Sequence, residues 1–292
     1  MEKILVIGGS GFMGSHVADE LSASGYNVVI YDLFRSPWLN SSQSMVLGDF
    51  MDKKTLRKAM DGVSCIYHFA GISDIGVAKS EPNKTLNDNI MGVANVLDIA
   101  VEMNVKRFVY ASTMYVYSDY GSFYRASKQA AEIIVETYAK EYGIEYTFLR
   151  YGSLYGPRAQ EWNGIKKFIT QIIVEQKLDY SGDGSEIREY IHVKDAAKLS
   201  VDILASDNAN TAITITGQQV IRVNELISVI FEILGLEPKV NYHGTGAKAD
   251  HYGKTPYRYS PKTAKKIVPV QFVDLGQGLL EIIEDLSNES NK

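Results

Sequence analysis

Tyr124 and Lys128 stand four residues apart in Tyr124-Arg125-Ala126-Ser127-Lys128, a spacing that puts both side chains on one face of a helix. A phenol titrating near its usual value of about 10 is a poor base at neutral pH. A neighbouring ammonium favours the phenolate, and Lys128 supplies one, so the pair is suited to taking a proton from an alcohol. A second chemical signal lies at the other end of the chain. Gly8-Gly9-Ser10-Gly11-Phe12-Met13-Gly14 follows an apolar run directly and leads into a helical stretch, and it reads as both G-x-x-G-x-x-G and G-x-G-x-x-G. Glycines there let the backbone turn tightly against a pyrophosphate, whose charge is met by free N–H groups at the helix N-terminus.

The candidate cofactor contacts of this loop are Gly8, Gly11, Phe12, Met13 and Gly14. Asp32 closes the next apolar run, where a carboxylate accepts from both ribose hydroxyls and repels the extra phosphate of NADP. The expected cofactor is therefore NAD, whose cationic nicotinamide would further favour the Tyr124 phenolate. Arg35, close behind Asp32, is read as a solvated loop residue.

Positioning these groups requires a regular scaffold, and the pattern supplies one. Ile4–Ile7, Val28–Tyr31, Cys65–Phe69, Phe108–Ala111 and Thr147–Arg150 read as buried strands, and His16–Ala23, Lys53–Met60, Thr85–Met103 and Ala126–Tyr142 carry helical apolar spacing. This alternation predicts an α/β fold, a Rossmann-type doubly wound parallel sheet with its ligands at the carboxyl ends of the strands. Residues 1–155 are expected to form the NAD-binding domain and 156–292 mainly a smaller C-terminal α/β substrate domain. The run Ala212–Thr216, within 190–217, is expected to return to the first domain. Further helices are expected at Ile165–Gln176 and Val223–Leu234.

Together the motifs resemble those of the extended short-chain dehydrogenase/reductase family, and within it the NAD-dependent nucleotide-sugar epimerases and dehydratases. The likeness rests on Gly8–Gly14, Asp32, Gly48-Asp49-Phe50, His68-Phe69-Ala70-Gly71, Asn89-Ile90-Met91-Gly92, Phe108–Tyr117, Tyr124–Lys128, Arg150–Arg158 and Gly182–Asp195, in that order. The resemblance implies that Asp49 and Phe50 flank the adenine, that Phe69, Ala70 and Gly71 line the cofactor, and that Asp88 and Asn89 lie against it. It implies that Thr113 is the hydroxyl beside the catalytic Tyr124, and that Lys128 also reaches the nicotinamide ribose. It implies substrate contacts at Arg188, whose planar guanidinium forks to a pyrophosphate, at Ser153, where relatives have Asn, and at Lys248, where a second phosphate-binding Arg is expected. His192 is read as a structural histidine. The expected reaction is epimerisation through a transient 4-keto sugar, with a UDP-linked hexose favoured. Dehydratases of the family resemble Thr-Asp-Glu where this chain has Thr113-Met114-Tyr115, so elimination lacks its carboxylates. A one-way nucleotide-sugar oxidoreductase and a non-catalytic dinucleotide-binding module remain as alternatives. The helices Thr85–Met103 and Ala126–Tyr142 resemble the pair through which relatives form a homodimer.

The remaining composition narrows the classes. With 292 residues, 45% of them hydrophobic, the chain can bury a large core, and its net charge of -5 and scattered cations exclude an extended nucleic-acid surface. The lone Cys65 makes no internal disulfide, and nothing has the spacing of a metal cluster. No apolar stretch at the start is long enough for a membrane span. A cytoplasmic protein is expected.

Overall fold

The computed structural model describes residues 2–205, 207–244 and 251–259. Seven parallel strands form its main sheet: β1 (Lys3–Ile7), β2 (Asn27–Asp32), β3 (Gln43–Leu47), β4 (Cys65–His68), β5 (Arg107–Thr113), β6 (Glu145–Tyr151) and β10 (Thr211–Ile215). Their spatial order is β10-β6-β5-β4-β1-β2-β3. The chain winds outward from β1 to β3, then returns to place β4 on the other side of β1. Ile4 pairs with Val28 on one side and Cys65 on the other. That reversal opens a crevice at the carboxyl ends of β1 and β4, the expected ligand position in a doubly wound sheet.

Helices cover both faces, which is why the central strands read as continuous apolar runs and not as alternation. On one face α1 (Phe12–Ala23) and α8 (Val193–Asp202) bury Val17, Leu21, Ala197 and Val201 against Ile4, Val6 and Val28. On the other, α2 (Lys53–Ala59), α5 (Gly92–Glu102) and α6 (Ser122–Tyr142) bury Leu56, Val93, Leu97, Ala131 and Val135 against Leu5, Ile7, Phe108 and Phe148. Two short helices, α3 (Ile75–Ser80) and α4 (Pro82–Leu86), lead from β4 toward α5.

The second half builds two small sheets. β7 (Ser153–Tyr155) runs parallel to β9 (Ile187–His192), which pairs antiparallel with β11 (Val220–Arg222), and β8 (Leu178–Tyr180) pairs with β12 (Val240–Tyr242). Helices α7 (Gly164–Glu175) and α9 (Val223–Ile233) close a separate core of Ile172, Leu178, Ile227 and Phe231. All three sheets belong to one compact unit, Met1–Tyr259.

Two elements differ from the sequence reading. β3 escapes it because this edge strand, Gln43-Ser44-Met45-Val46-Leu47, buries no residue fully and so lacks an apolar run. The helix expected over Thr85–Met103 is three pieces: α4, a turn of π-helix at Asn87–Met91, and α5.

Candidate active site

The glycine turn is fixed by contacts that only glycine permits. The Gly8 N–H donates to the Tyr31 carbonyl at 2.8 Å, and its φ of +83° belongs to the left-handed region. A Cβ on Gly8 would stand 2.6 Å from the Ala70 nitrogen, and one on Gly14 only 2.2 Å from the Gly8 carbonyl oxygen. Strand, turn and helix therefore pack backbone to backbone. Gly11 caps α1 without a side-chain bond, which leaves first-turn N–H groups to a ligand. Asp32 closes β2 at the rim, where its carboxylate accepts from the Ser10 N–H at 2.9 Å and the Phe34 N–H at 3.2 Å. Those bonds hold it in one orientation beside the turn.

Phe12, Met13, Phe50, Phe69, Ala70 and Gly71 line the same cavity. Asp49, Asp88 and Asn89 stand outside that lining. Asp49 is exposed and accepts from the Met51 N–H at 2.8 Å. Asn89 is buried and ties the loop after β4 to α6: its amide donates to the Ile72 carbonyl and the Ser127 hydroxyl, and its oxygen accepts from the Ile72 N–H. Asp88 meets only its neighbour Asn87 among the hydrogen bonds of the described residues.

At the end of β5, Thr113 Oγ1 accepts from the Tyr115 N–H at 3.2 Å, which starts a short 3-10 turn, Met114–Tyr117. Tyr124 lies in the first turn of α6 and is partly buried. Burial raises its phenol to about 12, the nearby Thr113 hydroxyl draws it back down, and Tyr252 pushes it up. Lys128 is 5% exposed, donates to the Ala111 carbonyl at 2.7 Å and lies 4.5 Å from the centroid of the Tyr110 ring. Burial lowers its ammonium to about 8, against an opposing pull from Glu132. Ser112 turns the other way and donates to Glu132, as strand alternation requires.

Ser153 and Arg188 line the far end of the cavity, on the neighbouring strands β7 and β9. Arg188 stacks over the Tyr252 ring at 4.7 Å and donates to the Ile187 carbonyl, and among the described residues it forms no ion pair. Its remaining N–H groups are available to a ligand. Lys248 lies outside the described residues. His192 caps α8, accepting from the Lys194 N–H. The cavity holds about 1010 Å³ and runs from Asp32 and Phe34 past Thr113, Tyr124 and Lys128 to Arg188 and Tyr180. Among its described lining residues the only carboxylates are Asp32 and Asp74, and Asp74 is engaged in capping α3.

Residues 4–215 match the profile of the NAD dependent epimerase/dehydratase family. The chain belongs to that family. It is 29% identical over 260 residues to a putative UDP-glucose 4-epimerase of Methanocaldococcus jannaschii, covering 82% of this chain and 85% of that protein. Among solved structures it resembles the UDP-glucose 4-epimerase of Thermotoga maritima with UDP-glucose, at TM-score 0.78, 27% identity and coverage of 88% and 90% of the two chains. It is also similar to the UDP-N-acetylglucosamine 4-epimerase of Methanobrevibacter ruminantium M1 in complex with UDP-N-acetylmuramic acid, at TM-score 0.80, 25% identity and coverage of 89% and 90%.

The family's NAD fits the residues present. Gly8, Gly11 and Gly14 bring the backbone of the turn to the cavity wall, the start of α1 presents N–H groups, and Asp32 is held at the end of β2. Tyr115 and His251 also face this cavity, and the Tyr115 hydroxyl bonds the His251 Nδ1 at 2.5 Å. Sequence reasoning named Tyr115 only as the residue standing where dehydratases have a carboxylate, and passed over His251. The two are 136 residues apart, and neither carries a motif that would have joined them.

Proposed function

We propose that this protein is an NAD-dependent nucleotide-sugar epimerase acting through a transient 4-keto sugar, with a UDP-linked hexose as the favoured substrate. One observation carries the reading: Thr113, Tyr124 and Lys128 line a cavity continuous with the glycine turn. In this reading Gly8, Gly11, Phe12, Met13, Gly14, Asp32, Phe50 and Phe69 to Gly71 hold the cofactor. Tyr124 accepts the proton of the sugar hydroxyl, Thr113 holds the sugar oxygen in line with the phenol, and Lys128 supplies the positive charge that makes phenolate accessible. When bound, NAD supplies hydride transfer to and from the same carbon. After oxidation the chain's task is to keep water out and let the keto sugar present its other face before Tyr124 returns the proton. The three relatives named above are each called a 4-epimerase of a UDP-sugar, which agrees with this assignment.

Elimination and decarboxylation fit less well. Met114 is buried, Tyr115 is engaged with His251, and the described lining residues bring no carboxylate to the reacting end. The decisive experiment supplies NAD and UDP-, GDP-, dTDP- and CDP-sugars one at a time, with proton NMR and absorbance followed together. Interconversion without accumulation of NADH establishes the epimerase and names its sugar. Stoichiometric NADH with a keto sugar makes the protein a one-way oxidoreductase, and tight NAD binding without turnover of any sugar leaves a binding module.

Arg188 and Ser153 are placed on the substrate pyrophosphate in this reading. Replacing Arg188 by Leu is expected to raise KM for the nucleotide sugar about 10- to 100-fold, because charge-assisted hydrogen bonds contribute about 1.5–3 kcal/mol. NAD affinity should stay within about twofold, and steady-state kinetics with a separate NAD titration reads both. We further propose a cytoplasmic homodimer that pairs α5 and α6 across a two-fold axis. Ile133, 64% exposed, is a large apolar side chain on the outer surface of α6. Ile133→Asp is expected to convert the dimer to a monomer in sedimentation velocity, and a wild-type protein that sediments as a monomer removes this part of the proposal.

A further inference from the structure

Glu132 sits one helical turn beyond Lys128 on α6 and is 4% exposed. Its carboxylate gathers donors from three other elements. Oε1 accepts from the Ser112 hydroxyl on β5 and from Arg150 Nε on β6 at 3.0 Å, and Oε2 accepts from Arg150 Nη2 at 2.6 Å and from the Tyr259 hydroxyl at 3.4 Å. Arg150 in turn lies 4.8 Å from the centroid of the Tyr117 ring and bonds its hydroxyl. A well-packed apolar pair is often as stable as an ion pair this enclosed, so stability alone is a weak reason for it.

Lys128 gives a stronger reason. The groups around its ammonium are the Ala111 carbonyl, the Tyr110 ring and His68 on β4. His68 is 1% exposed, stacks on Phe108 and Tyr110, and among the described residues has no hydrogen-bond partner at either ring nitrogen. Burial, reinforced by the charge of Lys128, holds its imidazole down to about 3, so it is neutral. Tyr110 is fully buried, and burial, with Tyr124 and Glu132 adding to it, holds its phenol well above the usual range, so it too is neutral. Among the described residues Glu132 is the one carboxylate acting on Lys128.

We propose that Glu132 is a positioning residue that keeps Lys128 an ammonium in the working pH range, with Arg150 and Ser112 holding the carboxylate in place one turn along α6. The inference rests on the role given to Lys128 above. Arg150 pairs with the buried carboxylate at 2.6 Å, and Ser112 ties it to the strand that ends in Thr113.

The test reads Lys128 directly. Protein labelled with [ε-13C]lysine is titrated by NMR, the Lys128 resonance being assigned by its loss in Lys128→Arg, and the pH profile of kcat is measured alongside. In Glu132→Gln the Lys128 midpoint is expected to fall by about 1 pH unit, as removal of an adjacent opposite charge implies. The alkaline limb of kcat should move down by the same amount, and Glu132→Asp should restore both toward wild type. A purely structural role would lower kcat at every pH and leave the midpoint in place. If Glu132→Gln does not fold, the paired Glu132→Met, Arg150→Met change removes both charges while filling the space, and a smaller fall in the same direction is expected, because the Arg150 cation leaves with the carboxylate. A Lys128 midpoint unchanged in every charge-free variant that folds overturns the proposal. The NMR titration needs neither substrate nor turnover, so it stands apart from any failure of the epimerase assignment.

Discussion

Replacing Tyr124 by Phe is expected to slow sugar interconversion by about 10²- to 10⁴-fold, the usual range for removing a positioned acid–base group. The change deletes one oxygen and keeps the ring that packs edge-on to Tyr115 at 6.1 Å, so the fold and NAD affinity should be retained. The pH dependence separates this from a general packing defect. Lys128, drawn down to about 8 by burial, is an ammonium below that value and loses its charge as pH rises through it. The phenol, raised to about 12 by burial in the protein alone, depends on that ammonium and on the bound nicotinamide cation to become a base near neutrality. Wild-type turnover should therefore decline above about pH 8, whereas the small residual rate of Tyr124→Phe should be flat there. A variant retaining a tenth or more of wild-type turnover would remove Tyr124 as the proton acceptor.

Most of the scaffold could be read from the sequence because its central strands are buried on both faces. Ile4–Ile7 and Cys65–His68 are unbroken apolar runs because helices cover both sides, and β3 was passed over because it lies at the edge and is only partly covered. The chemistry was legible where it is local. Tyr124 and Lys128 fall on one helix, and Gly8 to Gly14 on one turn. The rest of the site is held by contacts between distant segments, which no periodicity records. Glu132 meets Arg150 across 18 residues, and Tyr115 meets His251 across 136. Asn89 shows the opposite limit. The family resemblance brought it toward the cofactor, whereas its amide is consumed in holding Ile72 and Ser127, so it shapes the cavity from behind its wall.

The cofactor end is tested most sharply by Gly14→Ala. The added Cβ would lie 2.2 Å from the Gly8 carbonyl oxygen and 2.9 Å from the Gly8 carbonyl carbon, both backbone atoms that cannot rotate aside. Gly8 in turn is pressed against Ala70 and held by Tyr31, so relief must come from moving α1 away from the turn. Overpacking of this kind costs about 1–3 kcal/mol, and a chain of this size loses about 2–4 °C of Tm per kcal/mol. The same displacement carries the first-turn N–H groups away from the pyrophosphate position, so NAD affinity should fall by at least about tenfold. Gly11→Ala is the comparison. Its Cβ has a single neighbour, the Gly8 carbonyl oxygen at 3.3 Å, so Tm should change far less. Thermal unfolding and NAD titration of the two variants side by side check the account, and equal losses of Tm at both positions would show that the packing of Gly14 on Gly8 is not what shapes the turn.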